Sequence, residues 1–226
     1  MFYSCIRCCS SIVKNTIPKN SNFVLLSGGI DSAVLLAHQK DKYNNACGIF
    51  FDYCQRAKDI ELLASKTIAN DFDCHLVELS LHSLGKEFQN INKLHVPLPD
   101  RNLILLSIAL SYIHTVGGTS LSIGINKDDL QKDYSTAKLD FLDKFKGIIE
   151  LLHPELSILT PFLDYTKSDV IHRGVELGVD FSSCYSCMRI VHSTDDFEHC
   201  GNCMQCKERK QAFINANISD VTLYKS

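Results

Sequence analysis

The sequence predicts an α/β fold: an open, mostly parallel sheet with helices on both faces, followed by a small C-terminal subdomain. Short apolar, β-prone runs alternate with longer stretches of helical spacing, a pattern typical of parallel strands joined by helices. A glycine turn follows the first strong strand candidate, and closely spaced cysteines gather near the end of the chain. We therefore expect an N-terminal extension over residues 1–20, an α/β domain over 21–180 and a cysteine-rich subdomain with a C-terminal helix over 181–226.

The elements follow one another in the order that this fold requires. Five apolar runs are candidate strands, at residues 23–26, 46–51, 75–79, 120–125 and 156–159. Helical spacing covers residues 33–39, 57–70, 102–115 and 140–152, and a last helix is expected over 207–213. A further helix would begin with Thr166 or Ser168 as its N-cap and end at Gly178.

The glycine turn between the first strand and the first helix consists of Ser27, Gly28, Gly29, Ile30, Asp31 and Ser32. Glycines let the backbone approach an anion closely, and the first N–H groups of a helix carry partial positive charge without internal partners. The turn has neither the lysine spacing of a Walker A loop nor the third glycine of a dinucleotide fingerprint. We expect a different pyrophosphate cradle; the alternative is a helix start that Asp31 or Ser32 merely caps.

Ligands of parallel sheets bind at the carboxyl ends of the strands. The glycine turn should therefore share one crevice with residues that follow other strands, among them Asp52, Asn126 and Asp128.

The cysteines indicate a metal site rather than disulfides, because there are eleven of them and an odd number cannot all pair. A C-x2-C-x2-C run, which can wrap one tetrahedral ion, is formed by Cys200, Cys203 and Cys206. Candidates for the fourth ligand are Cys184, Cys187, His192 and His199. The residues alone leave open zinc, an iron–sulfur cluster or reduced cysteines that pack as small apolar side chains.

Composition excludes several classes of protein. With 45% hydrophobic and 22% charged residues and a net charge of -3, the chain has no basic excess that would indicate nucleic-acid binding. The N-terminal stretch is interrupted by Arg7 and by serines and cysteines, so neither a secretory core nor a membrane span is expected, and the cytoplasm is the expected location. Cys5, Cys8 and Cys9 form a C-x2-C-C run there, a weaker metal candidate.

Several segments, in a common order from about residue 22 to 213, carry a resemblance to a known family. They are residues 27–32, 51–56, 99–103 and 124–126, Pro161 with Thr166 and Lys167, and residues 183–185 followed by 200–206. Together they resemble the 7-cyano-7-deazaguanine synthases, PP-loop ATP pyrophosphatases with a HUP-like sheet. The resemblance implies that a carboxydeazaguanine is converted with ammonia and two ATP to a nitrile, through an adenylate and an amide.

The resemblance also implies roles for individual residues. ATP, with Mg²⁺, would be held by Ser27, Gly28, Gly29, Asp31, Ser32, Asp52 and Gly124. The catalytic residues would be Asp31, Arg101 and Lys167. A structural Zn²⁺ would be bound by Cys184, Cys200, Cys203 and Cys206. A homodimer is implied as well.

The chain departs from the family pattern in ways that leave other functions open. The segment between Cys184 and Cys200 is longer than usual and contains Cys187, so the first zinc ligand could be either Cys184 or Cys187. An Asp-Cys-Arg triplet expected over the substrate is absent from residues 128–138. The alternatives are an amide ligase that joins the deazaguanine acid to another amine such as a protein N-terminus, a PP-loop tRNA-modifying enzyme, and a zinc-knuckle binding module without catalysis.

Overall fold

The computed structural model describes residues 17–92, 98–131, 138–189 and 197–225. Its sheet has five parallel strands in the order β3-β2-β1-β4-β5. The strands are β1 Asn22–Leu25, β2 Ala46–Asp52, β3 His75–Ser80, β4 Ser120–Ser122 and β5 Ser157–Leu159. All five predicted runs contain a strand, although the run over 120–125 is paired for only three residues.

Seven α-helices are described in these ranges: α1 Ile30–Tyr43, α2 Lys58–Asp71, α3 His82–Asn92, α4 Arg101–Val116, α5 Leu139–Leu152, α6 Lys167–Glu176 and α7 Met204–Ala216. Six were predicted from their spacing, whereas α3 was missed. Its apolar residues lie on a polar background, and Leu84 and Ile91 stay exposed while Phe88 packs on the core. Leu84, Phe88 and Ile91 do follow helical spacing, so the sequence carried a signal for this helix.

Helices cover both faces of the sheet, as predicted. On one face, α1, α6 and α7 pack in a cluster that includes Val24 and Phe213. On the other face, α4 and α5 pack over Phe23, Ile49 and Phe51. Because neighbouring residues of a strand point to opposite faces, a sheet buried on both sides needs apolar residues at every position, which explains the continuous apolar runs.

The order of the strands determines where a ligand can bind. The central strand β1 has β2 on one side and β4 on the other, so the chain reverses direction across the sheet between them. A crevice opens at such a switch point, beyond the carboxyl ends of the strands. The glycine turn follows β1 and residues 123–126 follow β4, so both predicted segments meet at this crevice.

The start of α6 also lies at the carboxyl edge. Thr166 is its N-cap residue: the Thr166 hydroxyl accepts the Asp169 N–H at 3.2 Å, and the Asp169 carboxylate accepts the Thr166 N–H at 2.8 Å. This reciprocal capping box decides between the two predicted caps in favour of Thr166 over Ser168. It fixes the first residue of the helix, Lys167, at the crevice.

The C-terminal segment packs directly on the α/β core. Ala212, Phe213 and Ala216 of α7 lie in the same buried cluster as residues of α1, and the Phe213 ring meets Phe181 edge-on at 5.3 Å. The division at residues 20 and 180 stays a prediction, and Cys5, Cys8, Cys9 and His192 lie outside the described residues. Within the described ranges, no helix is both long and apolar enough to cross a membrane.

Candidate nucleotide site and cysteine cluster

The glycine turn leaves no space for a side chain at its first glycine. Gly28 has φ +79°, and a Cβ there would lie 2.7 Å from the Glu61 carbonyl oxygen and 2.8 Å from the Ala64 Cβ. Both the positive φ and the close approach of α2 therefore require glycine. The loop backbone rests directly on α2, which holds the loop in one conformation.

The serines at the two ends of the turn hold each other. The Ser32 hydroxyl donates to the Gly29 carbonyl at 3.0 Å and accepts the Ser27 N–H at 3.2 Å. Gly29 is the N-cap residue of α1, and no side chain caps this helix. Neither Asp31 nor Ser32 therefore caps α1 with its side chain, and the N-terminus of α1, where backbone N–H groups carry partial positive charge, lies at the crevice.

Asp31 and Lys167 form an ion pair at the crevice. The Lys167 ammonium donates to Asp31 Oδ2, and both side chains are 25% exposed. The Asn126 amide donates to Asp31 Oδ1 at 3.0 Å. The backbone N–H of Lys167 donates to the Asp128 carboxylate at 2.9 Å. Three elements, α1, the segment after β4 and α6, thus converge on one charged pair.

Arg101 reaches the crevice from the start of α4. Its guanidinium donates to the Tyr53 hydroxyl at 3.1 Å and lies 5.9 Å from the centre of the Tyr53 ring. Gly124 follows β4 at the same edge of the sheet. It packs closely against α1, since a Cβ at Gly124 would lie 3.3 Å from the Asp31 Cβ. Among the described residues, the cation of Arg101 is therefore held by the aromatic side chain of Tyr53.

Glu61 is a site residue that sequence reasoning missed. Gln55 donates to its carboxylate at 3.2 Å and is itself fixed by the Phe51 carbonyl at 2.9 Å and the Tyr53 N–H at 2.9 Å. Burial raises the pKa of Glu61, and the hydrogen bond from Gln55 and the charge of Arg101 offset this only in part. Its position in the predicted helix, one turn after the resembling segment 51–56, was the available signal.

These groups surround one cavity of about 290 Å³. Of the predicted residues, its lining contains Ser27, Gly29, Asp31, Arg101 and Lys167. It also contains Tyr53, Gln55, Glu61, Tyr185, Ser186, Cys187 and Arg209. The cations of Arg101, Lys167 and Arg209 and the carboxylates of Asp31 and Glu61 thus face a volume suited to a small ligand, next to the N-terminus of α1.

Among the described residues, four predicted nucleotide residues, Gly28, Ser32, Asp52 and Gly124, do not line this cavity. The Asp52 carboxylate accepts the Cys54 N–H at 3.0 Å and lies 3.5 Å from His82 Nδ1. Asp52 therefore closes the turn after β2, where Cys54 has φ +64°. Gly124 provides close packing against α1 and no direct wall of the cavity.

Four cysteine sulfurs lie together beside the cavity, and they include Cys187 in place of the expected Cys184. The group consists of Cys187, Cys200, Cys203 and Cys206, whose Sγ atoms all lie within 4.8 Å of one another. Measured Sγ–Sγ separations are 3.9, 3.9 and 3.3 Å. Tetrahedral zinc with bonds of about 2.3 Å separates its sulfurs by about 3.8 Å, so the group fits one ion.

Backbone amides support the sulfurs of this group. The N–H groups of Arg189 and Cys200 donate to Cys187 Sγ, and the Cys203 N–H donates to Cys200 Sγ, each at 3.4 Å. Such hydrogen bonds favour thiolate ligands and orient them toward a metal.

Cys184 is oriented away from the cysteine cluster and is fully buried. Its thiol faces the Asp180 carbonyl at 3.8 Å, and its own carbonyl accepts the Arg209 guanidinium at 3.0 Å. Burial raises the pKa of Cys184 to about 12. The assignment of Cys184 as the first ligand is therefore corrected to Cys187, because the backbone after Cys184 is held by Arg209 and turns only afterwards toward the other cysteines.

The phosphate loop and the cysteine cluster are joined by the segment 184–187. The Tyr185 N–H donates to the Gly28 carbonyl at 2.8 Å. Buried Arg209 of α7 donates to the carbonyls of Phe181 at 2.7 Å and Cys184 at 3.0 Å. The Ser186 N–H donates to His199 Nε2 at 3.0 Å. His199 is thus a hydrogen-bond partner of the segment and is not in the four-cysteine group.

A parallel sheet with a glycine phosphate loop at its switch point, and cationic residues facing it, defines a PP-loop type of nucleotide-binding α/β protein. Residues 21–217 match the sequence profile of "Queuosine biosynthesis protein QueC", and the chain belongs to this family.

Similar proteins agree with this membership. The "7-cyano-7-deazaguanine synthase" of Hydrogenovibrio crunogenus is 31% identical over 90% of this chain and 95% of that protein. The protein of the same name from Rhodopirellula baltica is 32% identical over 87% and 88%. Among solved structures, the U34-tRNA thiolase NcsA of Methanococcus maripaludis, described with its [4Fe-4S] cluster, has a TM-score of 0.53 and 17% identity over 90% of this chain and 70% of that chain. At that identity it shows the shared fold alone.

The two candidate first ligands can be separated by substitution. We expect Cys187→Ser to lose bound zinc and to lower the melting temperature, because metal-binding energy contributes directly to folding. Cys184→Ala should keep one zinc per chain, although truncating a buried side chain costs some stability. Metal content by mass spectrometry and thermal unfolding measure both effects. Zinc loss in Cys184→Ala with zinc kept in Cys187→Ser would restore the original assignment.

Proposed function

We propose that this chain is an ATP-dependent synthase that activates 7-carboxy-7-deazaguanine as an adenylate and converts it with ammonia to 7-cyano-7-deazaguanine. The observation that carries the proposal is one cavity in which the glycine loop, Lys167 and Arg101 face each other. The relatives named 7-cyano-7-deazaguanine synthase, 31–32% identical over most of their length, support the choice of substrate.

The chemistry requires charge to be stabilised where the pyrophosphate leaves. A carboxylate is a poor electrophile, so its oxygen first attacks the α phosphorus of ATP and pyrophosphate departs. The N-terminus of α1 offers N–H groups to that pyrophosphate. Lys167 exchanges its Asp31 partner for a phosphate oxygen as negative charge develops. Arg101, held on Tyr53, neutralises the substrate carboxylate or the α phosphate.

Magnesium would be held by Asp31, because carboxylate oxygens are the ligands that this ion prefers. Asp31 Oδ2 accepts a hydrogen bond from Lys167. When ATP binds, the ion would replace Lys167 as the partner of Asp31, and a phosphate would replace Asp31 as the partner of Lys167. When bound, Mg²⁺ neutralises phosphate charge during the displacement.

Glu61 is suited to recognise the ring of the substrate. The guanine-like edge of a deazaguanine presents a ring N–H and an amino group, two donors side by side, and a carboxylate can accept both. Gln55 uses one hydrogen bond to fix the Glu61 carboxylate and leaves acceptor positions toward the cavity. The Glu61 carboxylate and Arg101 would then select for the ring and the acid of one molecule.

The cysteine cluster is proposed to bind one structural zinc. Four thiolates fill a tetrahedral sphere and leave no open position for catalysis. Sulfurs within 4.8 Å of one another suit a single ion, whereas an iron–sulfur cluster separates its thiolates by placing each on a different iron.

An amide ligase is the second candidate, because residues 128–138 lack the Asp-Cys-Arg triplet; residues 132–137 lie outside the described ranges. Such an enzyme would share the adenylation step and join the acid to another amine.

The homodimer also stays a prediction, and light scattering on the purified protein tests it.

The product distinguishes these functions. We expect wild-type protein given ATP, Mg²⁺, ammonia and 7-carboxy-7-deazaguanine to release pyrophosphate and to form the nitrile, identified by mass spectrometry. A stable amide as the final product would favour the ligase. No pyrophosphate with this acid would contradict the proposal.

A matched pair of lysine variants shows whether the cavity performs the reaction. Lys167→Ala should lower the rate of pyrophosphate release by about 10²–10³-fold, the usual cost of losing one charge-stabilising group. Lys66→Ala, which removes an exposed ion pair with Glu78 outside the cavity, should leave the rate unchanged. Equal activity of Lys167→Ala and wild type would rule out the role of Lys167.

Recognition of the ring is tested with Glu61→Gln. An amide presents an N–H group to the donor edge, so the KM for the deazaguanine acid should rise at least tenfold while the KM for ATP changes little. Asp59→Asn, on the exposed side of the same helix, is the matched control. A rise confined to the KM for ATP would assign Glu61 to the nucleotide.

A further inference from the structure

A second group of metal-ligating side chains lies at the opposite edge of the sheet, where α4 and α5 end. It consists of His114, His153 and Glu155. Glu155 Oε1 lies 3.1 Å from His114 Nδ1 and 3.6 Å from His153 Nδ1. The two imidazole rings are tilted against each other, with centroids 4.1 Å apart and planes inclined by 35°. Two imidazole nitrogens and one carboxylate oxygen thus lie within 4.8 Å of one another.

The separations match those of a tetrahedral metal site. With metal–ligand bonds of about 2.0–2.1 Å, neighbouring nitrogen and oxygen ligands of tetrahedral zinc lie about 3.3 Å apart. The observed 3.1 and 3.6 Å bracket that value. The two histidine nitrogens lie within 4.8 Å of each other, so an ion could enter between the three groups once rotation of the two imidazoles brings these nitrogens closer together.

The backbone around this group favours a cation. His114 lies in the last turn of α4, and His153 is the C-cap residue of α5. Helix C-termini carry partial negative charge from carbonyls without internal partners, and two of them converge here. The turn is also well defined, since the His153 N–H donates to the Ile149 carbonyl at 2.7 Å and the Leu156 N–H to the His153 carbonyl at 2.9 Å.

We propose that His114, His153 and Glu155 bind a divalent transition-metal ion such as Zn²⁺ or Ni²⁺, with water completing the coordination. Two histidines and a carboxylate suit these ions better than Mg²⁺ or Ca²⁺, which prefer oxygen ligands. The bound ion fastens the end of α4 to the turn between α5 and β5. It is separate from the four-cysteine group and from the cavity, which lies at the carboxyl edge of the sheet.

The site is tested by titrating Ni²⁺ into full-length protein that carries no histidine tag and whose cysteine group is already loaded with zinc. Isothermal titration calorimetry should detect one further ion per chain, and the melting temperature should rise with added Ni²⁺, because ligands that bind the folded state stabilise it. In His114→Ala/His153→Ala, the affinity should fall at least tenfold and the rise in melting temperature should disappear.

His172→Ala is the matched control, because His172 is an exposed histidine on α6 away from the group; it should bind Ni²⁺ as wild type does. Glu155→Gln keeps the size of the side chain and removes its charge, so it should weaken binding without altering the circular dichroism spectrum. The proposal is overturned when zinc-loaded wild type binds no further Ni²⁺. Equal affinity in the double variant and in wild type overturns it as well.

Discussion

The hydrogen bond from the Tyr185 N–H to the Gly28 carbonyl is the contact on which the site depends. Gly28 already lies against the backbone of α2 with no space for a Cβ, so the loop is held on one side by α2 and on the other by the segment that leads to Cys187. Arg209 holds this segment from α7. Distant parts of the chain thereby fix the loop that would carry the pyrophosphate.

This arrangement gives the cysteine cluster a role in the shape of the cavity. Tyr185, Ser186 and Cys187 line the cavity, and Cys187 also belongs to the four-cysteine group. A metal bound by the cysteine group would fix Cys187, which lies two residues after Tyr185 and its hydrogen bond to the Gly28 carbonyl. A metal bound by the cysteine cluster would therefore be mechanically connected to the glycine turn through residues 185–187.

The sequence allowed most of the fold to be predicted, because periodicity and the glycine turn are local signals. The predicted turn between β1 and α1 is confirmed as an element of the fold, and Lys167 is brought to Asp31 at one cavity across 136 positions of the chain. Asp52 closes the turn after β2 and lies outside the cavity lining, because a residue that follows a strand can equally close a tight turn. The exchange of Cys184 for Cys187 depends on a tertiary contact with Arg209, which no local pattern contains. Glu61 lies in a predicted helix just after the resembling segment 51–56, and only its place beside the cavity depends on tertiary packing.

The connection between the metal and the loop is tested most directly by the affinity for a non-hydrolysable ATP analogue before and after metal removal. The Kd would be measured by calorimetry on protein whose circular dichroism spectrum is unchanged by the chelator. We expect removal of the metal to raise the Kd at least tenfold, and added zinc to restore it, because the segment through Tyr185 loses its anchor at Cys187. An unchanged Kd in fully metal-free, folded protein would contradict the claim that the cysteine cluster holds the phosphate loop in its binding conformation.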